Sequence, residues 1–221
     1  MALRIYASMA LLFLTLGAPA LAAQPTSLTP EFQQFLNRPD NHQAVVQLLR
    51  TQWEKAVGVA CADIKSIEWQ ISVFEPVQLD AAGVPVKGGW RDIVTSEGCG
   101  SRKILNVASM VTPQGTIKRI GLLPGTTRAD YFLERDALIL VQQAAAPAQS
   151  KDCKQGYVTD TAFVVQEGAS TSGTLPGRDP HSWREEWTLK ECDVVATISV
   201  LFSPNATGTG IQAFLVKSQH N

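Results

Sequence analysis

Apolar and polar positions along this chain fall into two kinds of period, and each kind occurs twice. Between residues 40 and 57, Val45, Leu48, Leu49, Trp53 and Ala56 recur at helical spacing and make one apolar stripe. Asp40 with Gln43 is a capping-box-like start and Gly58 supplies a stop, so a helix is predicted over 40–57. Farther along, Tyr131, Leu138, Val141 and Ala145 share a face. Thr127 is a good N-cap and Pro147 forbids continuation, which predicts a second helix over 127–146. The run 137–141 also reads as a strand.

After each helix the period changes to two. Ile67 to Phe74 alternates, as does Gly156 to Phe163, and residues 80–83 (Asp-Ala-Ala-Gly) read as a turn. Trp183, Glu185, Trp187 and Leu189 fall on one face of a strand, with Arg184, Glu186, Thr188 and Lys190 on the other. Further strands are predicted over 104–111 and 194–202, each followed by a Pro and Gly-Thr turn and a last strand.

Four cysteines punctuate this pattern: Cys61, Cys99, Cys153 and Cys192. The first pair is 38 residues apart and the second 39. A shift of 93 positions lays Trp90, Arg91, Thr95 and Cys99 on Trp183, Arg184, Thr188 and Cys192. The same shift carries Val107 to Val200, Gly115 to Gly208 and Thr116 to Thr209, seven identities in 27 positions. The chain therefore reads as an internal duplication. The expected fold class is α+β, with tandem duplicated units, each one helix packed on a small antiparallel sheet. One disulfide is expected per unit, Cys61–Cys99 and Cys153–Cys192, tying the first strand to the strand after the Trp. The expected divisions are 1–22 (signal peptide), 23–38 (N-terminal extension), 39–124 (first unit) and 125–221 (second unit). Trp90 and Trp183, matched by the shift, are expected to be mostly buried near the disulfide of their own unit.

The block Trp183-Arg-Glu-Glu-Trp-Thr…Cys192…Gly208-Thr209, preceded by Thr127…Asp136-Ala137…Cys153, resembles a domain of exported proteobacterial proteins to which no activity is assigned. The resemblance covers about 85 residues at the C-terminal end. The first unit departs from it, with Val94 in the place of Trp187. A glycine commonly follows the second cysteine in that family; Gly100 fits and Asp193 does not. The resemblance implies a domain and no chemistry.

Composition sets the compartment. The first residues carry Arg4, an apolar run from Ala10 to Leu16, and Ala20-Leu21-Ala22 as a cleavage pattern. They read as a secretory signal peptide cut near Ala22, with a periplasmic or secreted product. That run is too short to span a bilayer, and no later stretch is long and apolar enough, so no membrane span is expected. An even cysteine count in an exported chain reads as disulfides. No C-x-x-C or Cys/His cluster offers a metal site, and no cofactor is expected. With 19 Lys and Arg against 20 Asp and Glu, the net charge of −1 gives no global electrostatic case for nucleic acid. At 45% apolar, the 221 residues have ordinary globular composition.

Candidate chemistry is sparse. His42 lies in the first turn of a predicted helix, His220 adjoins the C-terminus, and His181 sits in a loop with Arg178, Asp179 and Ser182. No nucleophile elbow, H-E-x-x-H, phosphate loop or dinucleotide fingerprint occurs, so no catalytic residue is assigned. Glu185 between Trp183 and Trp187 resembles a sugar platform, although a Trp shared by two units also suits a shared core position. Asp92 and Glu185, with Arg91 and Arg184, are candidate cross-strand pairs. Residues 167–182 lack apolar periodicity and form a long loop that the first unit does not have. Leu175 at its tip, Arg178, Asp179 and His181, with Arg184 and Glu186 on the adjacent strand, make the candidate binding surface. These features point to an exported, non-enzymatic binding or inhibitory protein whose partner is a protein of the cell envelope or outside it. Two other readings stay open: a hydrolase of envelope polymers using Glu185 or Asp179, and a glycan-binding module using exposed tryptophans.

Overall fold

The computed structural model describes residues 28–148, 156–166 and 181–220. Cys153 and the loop residues Leu175, Arg178 and Asp179 lie outside the described residues. Two four-stranded antiparallel sheets follow each other along the chain, each with its strands in sequence order. The first consists of β1 (Lys65–Leu79), β2 (Pro85–Gly98), β3 (Ser101–Val111) and β4 (Ile117–Gly121). The second consists of β5 (Gly156–Gln166), β6 (Trp183–Glu191), β7 (Val194–Asn205) and β8 (Gly208–His220).

Three α-helices cover the sheets among the described residues. Helix α2 (Pro39–Val57) forms where the apolar stripe predicts it, with Val45, Leu49, Trp53 and Ala56 buried. It ends at Gly58, whose φ of 83° is the left-handed stop that glycine adopts without a steric penalty. The helix lies on β3 and β4, and its stripe packs with Val94, Leu105 and Val107. Helix α3 (Tyr131–Ala145) lies on β7 and β8, with Ala137, Val141 and Ala145 buried against Trp187, Ile198, Val200 and Phe202. It starts later than Thr127. Asp130 is the N-cap, its carboxylate accepting from the amides of Phe132 and Leu133, while the Thr127 hydroxyl accepts from the amide of Ala129.

A third helix lies in the stretch expected to be an extension. Helix α1 (Pro30–Leu36) is capped by Thr29, whose hydroxyl accepts from the Phe32 amide. Phe32 and Phe35 meet Trp90 edge-on, at ring-centroid distances of 5.2 and 6.0 Å. The first sheet therefore packs against two helices instead of one. Trp90 is fully buried but belongs to this α1 cluster, whereas Cys61 packs in the α2 cluster. Trp183 is only half-buried, stacked on Phe202 at 4.8 Å. The expected placement of both tryptophans beside a disulfide is thus corrected by the strand geometry: each Trp precedes the cysteine of its hairpin turn by nine residues of extended strand.

The Cys61–Cys99 disulfide forms as expected. Cys99 lies in the β2–β3 hairpin turn instead of within a strand, with φ of 46° followed by Gly100 at 73°. Two consecutive positive φ values suit a two-residue turn whose twist matches the strands. Cys192 occupies the β6–β7 turn with φ of 48° and is also disulfide-bonded; its expected partner is outside the described residues.

Residues 122–130 join the two sheets and are held from both. Asn106 of the first sheet donates to the carbonyls of Leu123 and Gly125, and Arg91 donates to those of Thr127 and Ala129. From the second sheet, the Thr161 hydroxyl donates to Pro124 O and accepts from the Thr127 amide. Gly125, at φ of 105°, passes so close to the Thr161 backbone that a Cβ there would overlap it.

Candidate functional site

The alternation in β6 decides which side chains of the second sheet meet solvent. Glu185, Trp187 and Leu189 are buried on the α3 side, and Arg184 and Glu186 are exposed on the other. Strand pairing extends that outer face in two rows. Ala162, Glu186, Ser199 and Phe214 pair across β5 to β8, and Arg184, Leu201 and Gln212 pair across β6 to β8. Phe214 is 56% exposed and Val164 of β5 is 44% exposed. The outer face thus mixes apolar side chains with Arg184, Glu186 and the half-buried Lys190. Helix α2 meets β5 and its Gly58 end approaches Lys190 and Tyr157, while Arg184, Glu186, Gln212 and Phe214 stay exposed. His181, exposed in the turn that leads into β6, flanks one end. Of the six residues singled out from sequence, the structure therefore brings together Arg184, Glu186 and His181.

The inner face is fully engaged. Glu185 has no solvent exposure. Its carboxylate accepts from the indole N–H of Trp183 at 2.9 Å, the indole N–H of Trp187 at 2.8 Å and the amide of Arg128 at 2.8 Å. Asp92 occupies the corresponding place in β2 and accepts from the indole of Trp69 at 2.9 Å. Burial raises its pKa to about 6, against the opposing pull of the Trp69 N–H and the Arg119 charge. The cross-strand pairs expected between Asp92 or Glu185 and the neighbouring arginines do not arise. Successive strand residues face opposite ways, so each carboxylate turns inward while Arg91 and Arg184 turn to the other face.

None of the five tryptophans is exposed, which removes the open aromatic pair that a sugar platform needs. A carboxylate without solvent access, already accepting from three N–H groups, is also badly placed to act on a polymer. Asp179 lies outside the described residues.

Sequence reasoning missed another buried carboxylate. Glu134 of α3 is 3% exposed and accepts from the Leu123 amide at 2.9 Å. Arg91 approaches it to 3.7 Å. Burial raises its pKa to about 8, and the nearby charges of Glu185 and Asp130 add to the rise. The only signal in the sequence was position: Glu134, Ala137, Val141 and Ala145 follow helical spacing, so an acid stands on the buried stripe.

Two hollows border this region. One, of about 420 Å³, lies between the first sheet and the start of α3, lined by Phe74, Ile93, Met110 and Phe132. Another, of about 500 Å³, lies between α2 and α3 and reaches Glu134 and Tyr131. No group of three or more His, Cys, Asp or Glu suited to a metal ion occurs among the described residues. Among them, too, no helix is long and apolar enough to cross a membrane.

Comparison with protein-family models, curated proteins and solved structures finds no match to this chain.

Proposed function

We propose that this protein is an exported, non-enzymatic binding protein that blocks or escorts another protein of the cell envelope, using the outer face of its second sheet. The observation that carries this reading is the contrast between the two faces of β6. Its inward residues are buried and bonded, while its outward residues Arg184 and Glu186 are exposed together with Gln212 and Phe214 of β8. Apolar side chains interspersed with Arg and Glu are the chemistry of a protein–protein interface with a polar rim. Export is supported by the Cys61–Cys99 disulfide, since such bonds persist in oxidising compartments.

The architecture behind the face is a tandem duplication divided near residues 124 and 125. Matching strand orders support this, as do left-handed cysteines at both hairpin turns and an inward carboxylate taking indole N–H groups at both Asp92 and Glu185. The second unit departs from the first in its loop, and that is where a binding role diverges from a structural one.

The test is capture from a periplasmic extract by the wild type and by an Arg184→Glu/Glu186→Arg variant. Both side chains are exposed, so the variant keeps its melting temperature. The proposal expects a discrete protein retained by the wild type and lost from the variant. Equal capture by both proteins rules out this face.

A further inference from the structure

From the edges of the two sheets we infer that β8 pairs antiparallel with β8 of a second copy of this chain, about a twofold axis at Gln212. A sheet edge presents unpaired N–H and C=O groups, and soluble proteins usually guard it with charges, prolines, bulges or cover. The other edges here are guarded. Strand β1 carries Glu68, Glu75 and Pro76 and has repeated register shifts against β2. Strand β4 is only five residues long and includes Lys118 and Arg119. The edge of β5 is covered by the joining segment, where the Thr126 amide donates to Thr161 O and the Thr126 hydroxyl accepts from the Phe163 amide.

Strand β8 lacks these guards from Gly208 to Leu215. It runs for 13 residues as the last strand of its sheet. From Gly208 to Val216 it has no charge and no proline. Phe214, Leu215 and Val216 are all exposed, at 56%, 37% and 54%. Among the described residues nothing pairs with its outer edge.

The second copy is the occupant because this stretch is complementary to itself. Its limits are Gly208, where the strand leaves its hairpin turn, and Val216, an extra residue between the Ile198–Leu215 and Thr197–Lys217 pairs. That bulge kinks the edge and ends regular pairing. Gln212 stands midway between the two limits. A twofold axis at Gln212 sets Gly210 opposite Phe214 of the second copy, and Gly208 opposite its Val216. A Cβ built on Gly208 meets nothing within 4 Å, and one on Gly210 meets only Ser203 O at 3.6 Å. Each bulky side chain therefore has open space over a glycine, an arrangement in which a cross-strand aromatic covers an edge glycine. On the α3 side, Ile211 meets Ala213 and Thr209 meets Leu215. On the axis two Gln212 amides face each other, and each supplies both a donor and an acceptor. No like charges oppose each other anywhere in the pairing. The product is a single eight-stranded sheet across two copies.

Gln212 is exposed, so its substitution tests the pairing without disturbing the monomer. Sedimentation equilibrium at micromolar concentration is expected to give a dimer for the wild type. Gln212→Lys and Gln212→Glu each place like charges in direct opposition, and each is expected to weaken dimerisation by about tenfold or more at an unchanged melting temperature. Mixing the two variants in equal amounts restores the dimer, because the pair on the axis becomes Lys with Glu. A monomeric wild type overturns the inference, as does a dimer that either substitution leaves intact. So does a loss of dimer in both variants that mixing does not repair.

Discussion

Arg91 and Glu134 meet at 3.7 Å where the two sheets join, yet the arginine does not keep this carboxyl in the usual acidic range. The Arg91 guanidinium already donates to the carbonyls of Thr127 and Ala129. Glu134 is 3% exposed, and the loss of water outweighs the approach of the charge. The pair acts chiefly as a clamp on residues 122–130, with the arginine on two carbonyls and the glutamate on the Leu123 amide.

The first prediction is a stability that falls as pH rises. Glu134 titrates near its ordinary value of 4.5 when unfolded and at about 8 when folded. Between those values the folded state holds the extra proton, so the stability present below pH 4.5 is lost as pH rises through 8. Asp92, raised from 3.8 to about 6, adds a loss of the same sign between those values. The loss is on the order of a few kcal/mol, or several degrees in melting temperature for a chain of this size. Thermal melts at pH 5 and pH 8 check it, and Glu134→Gln should flatten most of the change above pH 6.

A second prediction concerns Glu185. Replacement by Leu leaves two indole N–H groups and the Arg128 amide without their acceptor. At about 1–3 kcal/mol for each buried unpaired donor, the variant should lose several kcal/mol. Urea denaturation followed by tryptophan fluorescence reads both the stability and the altered indole environment.

Helix α1 provides a third. Trp90→Ala removes a fully buried ring from the cluster with Phe32 and Phe35 and should cost about 3–5 kcal/mol. Phe32→Ala should act in the same direction. Deletion through Leu36 should destabilise the first sheet, whereas a dispensable extension would leave the melt unchanged.

The fourth is the disulfide framework. Non-reducing peptide mapping should join Cys61 to Cys99 and Cys153 to Cys192. A Cys99–Cys153 peptide would contradict the one-bond-per-unit scheme. Replacing Cys61 and Cys99 with Ser should cost roughly 4 kcal/mol, the chain entropy of a loop of this length.

The strands and α2 were legible because periodicity and end signals agreed there. Val45, Leu49 and Trp53 make one stripe, Gly58 stops it, and β6 alternates as its residues do. Helix α1 escaped because seven residues with only Phe32, Phe35 and Leu36 apolar show no extended period, although Thr29-Pro30 is a start signal. The start of α3 shifted because Thr127 and Asp130 can both cap, and Arg91 holds the carbonyl of Thr127 outside the helix. Pattern could orient Trp183 and Trp187 to one face, but their depths depend on how far α3 reaches along β7 and β8, which no local rule fixes. In the candidate surface, the outward pair Arg184 and Glu186 followed from alternation alone. The partners of Asp92 and Glu185 did not, because a buried acid is distinguished by indoles from other positions and by a distant amide.

The outer face of the second sheet is proposed to meet a partner protein. Photo-cross-linking in living cells tests it most directly, with a benzophenone side chain at Glu186 on that face and, as a control, at exposed Glu54 on α2. A discrete adduct with an envelope protein is expected from position 186 and none from position 54. An absence of adducts at 186, or the same adducts from both positions, would contradict it.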